Sequence, residues 1–393
     1  MNPNAPVITS AVRTPIGAFG GALASVSAPA LAAHAIKENL TRSRLEPAEV
    51  EEVVLGMALQ ANVGQGPARQ AALFAGLPTS VSAWTVNKVC SSGLRAVMCA
   101  AQAILLGEAK IMIAGGMENM SQAPYYLDEA RTGYRLGHGT LVDGMIRDGL
   151  WDPYRDLHMG SCAELCAREN KIDRKAQDEY ALESYRRASA AQKQGLFASE
   201  ITPVMMRNRK GEITVAEDEE PSKADHEKLA KLKPAFEKDG TVTAANASKI
   251  NDGAAAVTLM SFEEASRRSL KPLARIAGYA TFSQAPEWFT TAPAPAAEKL
   301  LRRLEWRKGE VDAWEINEAF AVVALANIAL LGIDAKRVNV HGGAVALGHP
   351  IGASGCRILV TLLGVLKQHG GKRGIAAICN GGGEATAMAV EIL

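Results

Sequence analysis

Apolar positions along the chain fall in two patterns. Leu94, Val97, Met98, Ala101, Ile104 and Leu105 fall at helical spacing, so residues 91–107 read as a helix that buries one face. Residues 6–9, 53–57, 84–89 and 110–116 are short apolar runs bounded by turn formers and read as strands, with a helix over 28–40 between the first two. Strands alternating with helices predict an α/β layer with crossovers. The far end repeats this order: strand at 273–278, helix at 294–304, strand at 311–316, helix at about 352–368, then a strand ending in the glycines of Ile378-Cys-Asn-Gly-Gly-Gly383. Even the letters agree, Ser27-Ala-Pro-Ala-Leu-Ala-Ala33 against Thr291-Ala-Pro-Ala-Pro-Ala-Ala297. An internal duplication with an offset of about 260 residues is expected, and its two copies should pack as similar α/β units.

The stretch between the copies differs. It holds a helical pattern over 174–195, with Asp173 placed to cap it, and a polar reach over 207–239 that includes Glu217-Asp-Glu-Glu-Pro221 and reads as solvated loops. The expected organisation is a first half over 1–121 that resumes at about 252–272, an inserted loop domain over 122–251, and a second half over 273–393.

Composition narrows the classes. With 393 residues, 48% apolar and 22% charged, the chain can bury a large core. Lys plus Arg (43) nearly balance Asp plus Glu (42), and no basic stripe with interleaved aromatics appears, so nucleic acid is not an expected partner. No apolar run reaches the roughly 18 residues of a membrane span, and the N-terminus lacks a charged segment followed by an apolar core, so a cytoplasmic protein without a membrane partner is expected. The six cysteines show neither disulfide-framework nor zinc spacing, and no metal is expected.

Candidate chemistry concentrates at Val86-Asn-Lys-Val-Cys-Ser-Ser-Gly-Leu-Arg95. Cys90 stands at a helix start, where partial positive charge lowers a thiol's pKa and the thiolate is the nucleophile. The competing reading is a small cysteine that only packs. His341-Gly-Gly-Ala-Val-Ala-Leu-Gly-His-Pro-Ile-Gly-Ala-Ser-Gly355 leads into the matching helix of the second half, so His349 holds the place that Cys90 holds in the first. Facing helix starts would bring imidazole to thiol, which is how a thiol is activated. This glycine run matches a phosphate loop or a dinucleotide fingerprint only weakly. In Ile378–Glu384 a second thiol, Cys379, could move protons, while glycine N–H groups could hold an oxygen that becomes negative. Asn317, at a strand end, offers an amide that can donate a hydrogen bond or fix a water.

Taken together, Asn87-Lys-Val-Cys-Ser-Ser-Gly93, Asn317-Glu-Ala-Phe320, Gly348-His-Pro-Ile-Gly352 and Cys379-Asn-Gly-Gly-Gly383 resemble the motifs of the thiolases, of the short-chain, acetoacetyl-CoA type, with support from Asn246–Gly253 and His158–Gly160. The resemblance covers essentially the whole chain. It implies the thiolase fold, two pseudo-repeated α/β halves in α-β-α-β-α layers with an inserted loop domain. It implies an acetyl-CoA C-acetyltransferase in which Cys90 carries the acyl group, His349 deprotonates it and Cys379 acts as acid and base. One oxyanion hole would be His349 with a water held by Asn317, the other the N–H groups of Cys90 and Gly381. Ser248 would contact CoA, while His158, Met159, Phe289 and Phe320 would line the pantetheine channel and acyl pocket. Acetyl-CoA, acetoacetyl-CoA and CoA would be the substrates, no cofactor would be needed, and the chain would form a homotetramer built from tight dimers.

Three positions depart from relatives. Phe289 stands where many bacterial thiolases carry methionine and resembles the mitochondrial and fungal acetoacetyl-CoA thiolases, so a pocket that tolerates a 2-methyl branch is expected; Glu384 replaces a common glycine, and Ser91 a common alanine or glycine. Glu384 could raise the pKa of Cys379 by repulsion, or face solvent or pair with a base, and the second is expected. The alternatives are a degradative 3-ketoacyl-CoA thiolase taking longer chains and a non-catalytic acyl-CoA-binding protein on the same fold.

Overall fold

Alternating side chains decide the layering. The computed structural model describes residues 2–208, 211–223 and 231–393. Its main strands are β1 (Pro6–Arg13), β2 (Glu52–Gly56), β3 (Ser82–Val86), β4 (Ile111–Asn119), β5 (Asn251–Ser261), β6 (Ala274–Ser283), β7 (Ala313–Ile316), β8 (Arg373–Asn380) and β9 (Glu384–Ile392). They hydrogen-bond in the order β7-β8-β9-β6-β1-β5-β4-β2-β3, and the short strand Gly17–Ala18 pairs with the start of β5. The join between β1 and β6 is narrow, Val7 with Arg275 and Ile8 with Ala274.

The main helices are α1 (Ala28–Ser43), α2 (Pro67–Phe74), α3 (Ser92–Leu106), α4 (Met159–Glu169), α5 (Arg174–Lys193), α6 (Pro293–Leu304), α7 (Ala321–Leu331) and α8 (Ile351–His369). Successive residues of a strand face opposite sides. Ala255, Val257 and Leu259 of β5, with Ala376 and Ile378 of β8, enter one central core with α3 and α8. Their neighbours Ala254, Ala256 and Met260 face α1 and α2. Ile375 and Ala377 face α6. The layers therefore run helix, sheet, helix, sheet, helix, with α3 and α8 in the middle.

That central position corrects one expectation. The windows Val89–Leu106 and Ile351–His369 are long and apolar enough, by length and composition, to cross a membrane. Both lie in the core, where a helix covered on several sides is apolar around most of its circumference.

Two local readings also change. The strand expected to reach residue 89 ends at Val86, because Val89 takes φ 47° and its N–H is held by the Asn87 side chain at 2.9 Å. Where the polar reach begins, Val204–Asn208 and Gly211–Val215 form an antiparallel ribbon rather than loops alone. Val204 and Val215 bury against the α1 and α2 layer, which holds the ribbon to the body. Residues 209–210 and 224–230 of that reach lie outside the described residues. Asp173 caps α5 by accepting from the Ala176 N–H at 2.8 Å. The fully buried Arg13 of β1 ties the intervening segment to the sheet through Glu200 at 2.6 Å and Asp218 at 2.7 and 2.8 Å.

Candidate active site

The starts of α3 and α8 touch backbone to backbone. A Cβ on Gly93 would stand 2.9 Å from the Gly352 oxygen and 2.9 Å from the Cys356 nitrogen, so only glycine permits the approach. It carries the turn before each helix to one cavity of about 230 Å³. Cys90, His349, Gly381, Ser248, His158, Met159, Phe289 and Phe320 all line it.

Cys90 sits on a strained turn. A β-branched residue at positive φ is an outlier, and Val89 is held there by Ser92, whose hydroxyl accepts from Lys88 N–H at 2.8 Å and donates to Val89 O at 2.6 Å. The sulfur receives the N–H groups of Gly381 and of Cys90 itself. The expected lowering of its pKa does not follow. Burial outweighs both donors and, with the carboxylate of Glu118, pushes the thiol up to about 12. The free site therefore holds a thiol that needs a base.

His349 stands on the same cavity wall. Its Nδ1 lies 2.6 Å from the Ser354 hydroxyl, which donates to the Pro350 carbonyl at 3.0 Å. A hydroxyl has one proton, so Nδ1 must donate and Nε2 keeps its lone pair. Nε2 is buried with no partner among the described residues. Burial, then the charge of Arg357, lowers the imidazole to about 3, so it is neutral at physiological pH.

Cys379 and Asn317 do not open on the cavity wall. Cys379 is fully buried in a cluster with Met159, Phe289, Ala319 and Phe320, which do. Burial and then the Cys90 thiol raise its pKa well above the usual range. Asn317 is buried with neither side-chain polar atom partnered among the described residues. His158 accepts the Gly160 N–H on Nδ1 at 3.0 Å and stacks on Phe236 at 4.8 Å.

Several contributors escaped the sequence reading. Phe236, Met120, Leu150 and Lys249 line the cavity from segments with no periodic signal of their own. Glu118 accepts from the N–H groups of Ala58, Leu59 and Gly352 at 2.9, 3.1 and 2.8 Å, fixing the start of α8, and burial raises it to about 7. Glu318, beside Asn317, binds Tyr180, Ser184 and Asn339 side chains and anchors α5 to the glycine turn. Ser354 carried the clearest missed clue, since it lies five residues past His349 on the first turns of the helix.

The departures at Ser91 and Glu384 share a partner. Ser91 Oγ donates to Asn380 Oδ1 at 2.7 Å, and Asn380 Nδ2 donates to Glu384 at 3.4 Å. Glu384 itself forms an ion pair with Lys88 and accepts from Ser283 at 2.9 Å. The carboxylate thus joins the turn before Cys90 to the turn after Cys379, paired with a base as expected. Although its partial burial opposes ionisation, these donors hold its pKa below the usual value.

Comparison with known proteins gives one result. The family description "Thiolase, N-terminal domain" matches residues 6–263, and "Thiolase, C-terminal domain" matches residues 270–392. A protein named acetyl-CoA acetyltransferase 2 from Arabidopsis thaliana is 54% identical over 100% of this chain and 98% of its own length. An acetyl-CoA acetyltransferase from Cupriavidus necator is 52% identical over 98% of each chain. The crystal structure of the Bacillus anthracis acetyl-CoA acetyltransferase superposes with a TM-score of 0.97 at 45% identity, over 99% of both chains.

Proposed function

Because this chain belongs to the thiolase family of acyltransferases, we propose that it is an acetyl-CoA C-acetyltransferase that joins two acetyl-CoA into acetoacetyl-CoA and CoA, and reverses the reaction. The carrying observation is the convergence of Cys90, the free Nε2 side of His349 and the Gly381 N–H on one largely apolar cavity, with Cys379 buried behind its wall.

Each proton has a place. Cys90 Sγ attacks the thioester carbon as His349 Nε2 takes its proton, and the departing CoA sulfur takes the proton of Cys379. The acyl group now rests on Cys90 as a thioester, which keeps its reactivity for the second step. The Cys379 thiolate, strongly basic because it is buried, removes the α-proton of a second acetyl-CoA. The carbanion attacks the acyl carbon, and the Cys90 sulfur leaves and regains the proton from His349. The N–H groups of Cys90 and Gly381 oppose the charge on one carbonyl oxygen, and protonated His349 with Asn317 that on the other. These groups complete the chemistry, so the reading needs neither metal nor prosthetic group.

Chain length tests the assignment. Phe289 is buried against the cavity and should close the acyl end. Thiolysis of acetoacetyl-CoA and 2-methylacetoacetyl-CoA should exceed that of 3-ketooctanoyl-CoA by about tenfold or more, since a pocket rejects large groups better than small ones. Strong turnover of the longer chain would make the protein a degradative 3-ketoacyl-CoA thiolase instead. Rejection of the methyl-branched substrate would remove the role given to Phe289.

Glu384 should act on geometry and not on the pKa of Cys379, because Lys88 balances its charge. Glu384→Gly is expected to keep the pH–rate profile and to lower kcat by about threefold, the scale of a half-exposed ion pair. A shift of the profile toward lower pH would show instead that its charge bears on Cys379.

A further inference from the structure

We infer that Lys249 is a positioning residue for this site, its ammonium gathering main-chain carbonyls so that the loop carrying Ser248 and the turn carrying His349 keep their places. The side chain curls back on its own loop. Nζ donates to the Ala244 carbonyl at 2.5 Å and to the Ala247 carbonyl at 3.1 Å, and lies 5.7 Å from the centre of the Tyr185 ring on α5. Glu220 supplies the countercharge. Two carbonyl dipoles and an aromatic face directed at one cation make a small cation site, filled from within the chain.

The same residue reaches the reacting groups by its main chain. The Lys249 carbonyl accepts the His349 N–H at 3.2 Å, and that N–H also donates to Asn251 Oδ1 at 3.0 Å. One residue back, the Ser248 N–H is held by the Ala319 carbonyl at 3.0 Å, and both Ser248 and Lys249 line the cavity. Ala247 bridges Phe320, another wall residue. Taking away the ammonium unties the exposed Ala244 carbonyl, which turns to water, from the Ala247 carbonyl of a buried residue, which loses its donor, and the loop between them loosens. The wall around Ser248 moves first, while His349, its imidazole on Ser354 and its main-chain N–H on Asn251, moves less. Loss should therefore fall on substrate binding more than on the chemical step. Burial lowers the ammonium to about 8, with Glu220 opposing, so the charge is present at neutral pH.

The experiment is chemical rescue, read as thiolysis of acetoacetyl-CoA in choline chloride and in methylammonium chloride at equal ionic strength. Wild-type protein should give the same KM in both salts, because its own ammonium fills the position. Lys249→Ala in choline should show about a tenfold rise in KM with kcat changed less, and methylammonium should restore most of it. Lys249→Met, whose uncharged stem occupies the same space, should lose binding and resist rescue. The inference fails if Lys249→Ala binds normally in choline, or if its loss is not restored by methylammonium. It fails too, without any variant, if wild-type KM falls severalfold when methylammonium replaces choline. The inference rests on the acyl-CoA reading of the cavity. A wild-type protein with no thiolysis would overturn that reading, whereas an active wild type with an indifferent Lys249→Ala overturns only this one.

Discussion

Cys90→Ala is expected to lose thiolysis and condensation by about ten-thousandfold or more, because no other group in the cavity can store the acyl chain between the two half-reactions. The other thiols cannot replace it. Cys162, Cys166 and Cys356 are buried, Cys99 is half-buried on α3 and absent from the cavity lining, and Cys379 has no exposed surface on the cavity. Only Cys90 combines partial exposure, two N–H groups directed at its sulfur and an unpartnered imidazole nitrogen on the same cavity wall. The check is the mass of the intact protein after mixing with acetyl-CoA. Wild type should gain one acetyl group, mapped by digestion to Cys90, and Cys90→Ala should gain none. An acetyl group that stays on Cys90→Ala as a thioester, with turnover preserved, would overturn the assignment of the nucleophile.

His349→Gln should slow acylation of Cys90 by about a hundredfold to ten-thousandfold, the usual range for loss of a general base. A pH series gives a sharper reading. Imidazole lowered to about 3 stays neutral through the physiological range, and a thiol raised to about 12 stays protonated. Both groups are therefore in their working forms between those values, the base deprotonated above about 3 and the thiol protonated below about 12. Acylation by acetyl-CoA, a substrate with no free thiol, should be nearly independent of pH from about 5 to 9. An acid limb near pH 6.5 in wild type, absent from His349→Gln, would show that the imidazole titrates normally and that burial does not govern it. The variant isolates the base because the His349 main chain is held by Lys249 and Asn251 whatever its side chain.

Much of this was legible in the residues. Short apolar runs and a helical period marked β1, β2, β4 and both central helices, since burial of a strand or of a helix stripe leaves a trace in the local sequence. The duplication paired Cys90 with His349 before any contact was known, and the structure carries both to one cavity. The resemblance to thiolases, carried by four motifs, agreed with the family comparison. Less was legible where the controlling force is not local. The ribbon at 204–215 has too little apolar alternation to be marked as strand, and it is held by Val204 and Val215 reaching a distant layer. Phe236 lies in a polar reach, and only the fold stacks it on His158.

Electrostatics separates the two kinds of knowledge most clearly. The chain itself determined which chemical groups are available, two thiols, an imidazole and glycine N–H donors, and placed Cys90 and His349 each ahead of an apolar helix, because motif and periodicity are properties of adjacent residues. Tertiary structure alone decided their protonation and partners. The helix start argued for a lowered Cys90 pKa, yet the thiol is raised, because desolvation depends on every layer packed around the sulfur. Glu384 could be read as repelling Cys379 until Lys88, 296 positions away, was found to pair with it. Glu118 fixes the start of the helix after His349 only because the chain folds its carboxylate within 2.8 Å of the Gly352 N–H, 234 positions away. Hydrogen bonds and desolvation act over a few ångströms of space, a separation that sequence order does not contain.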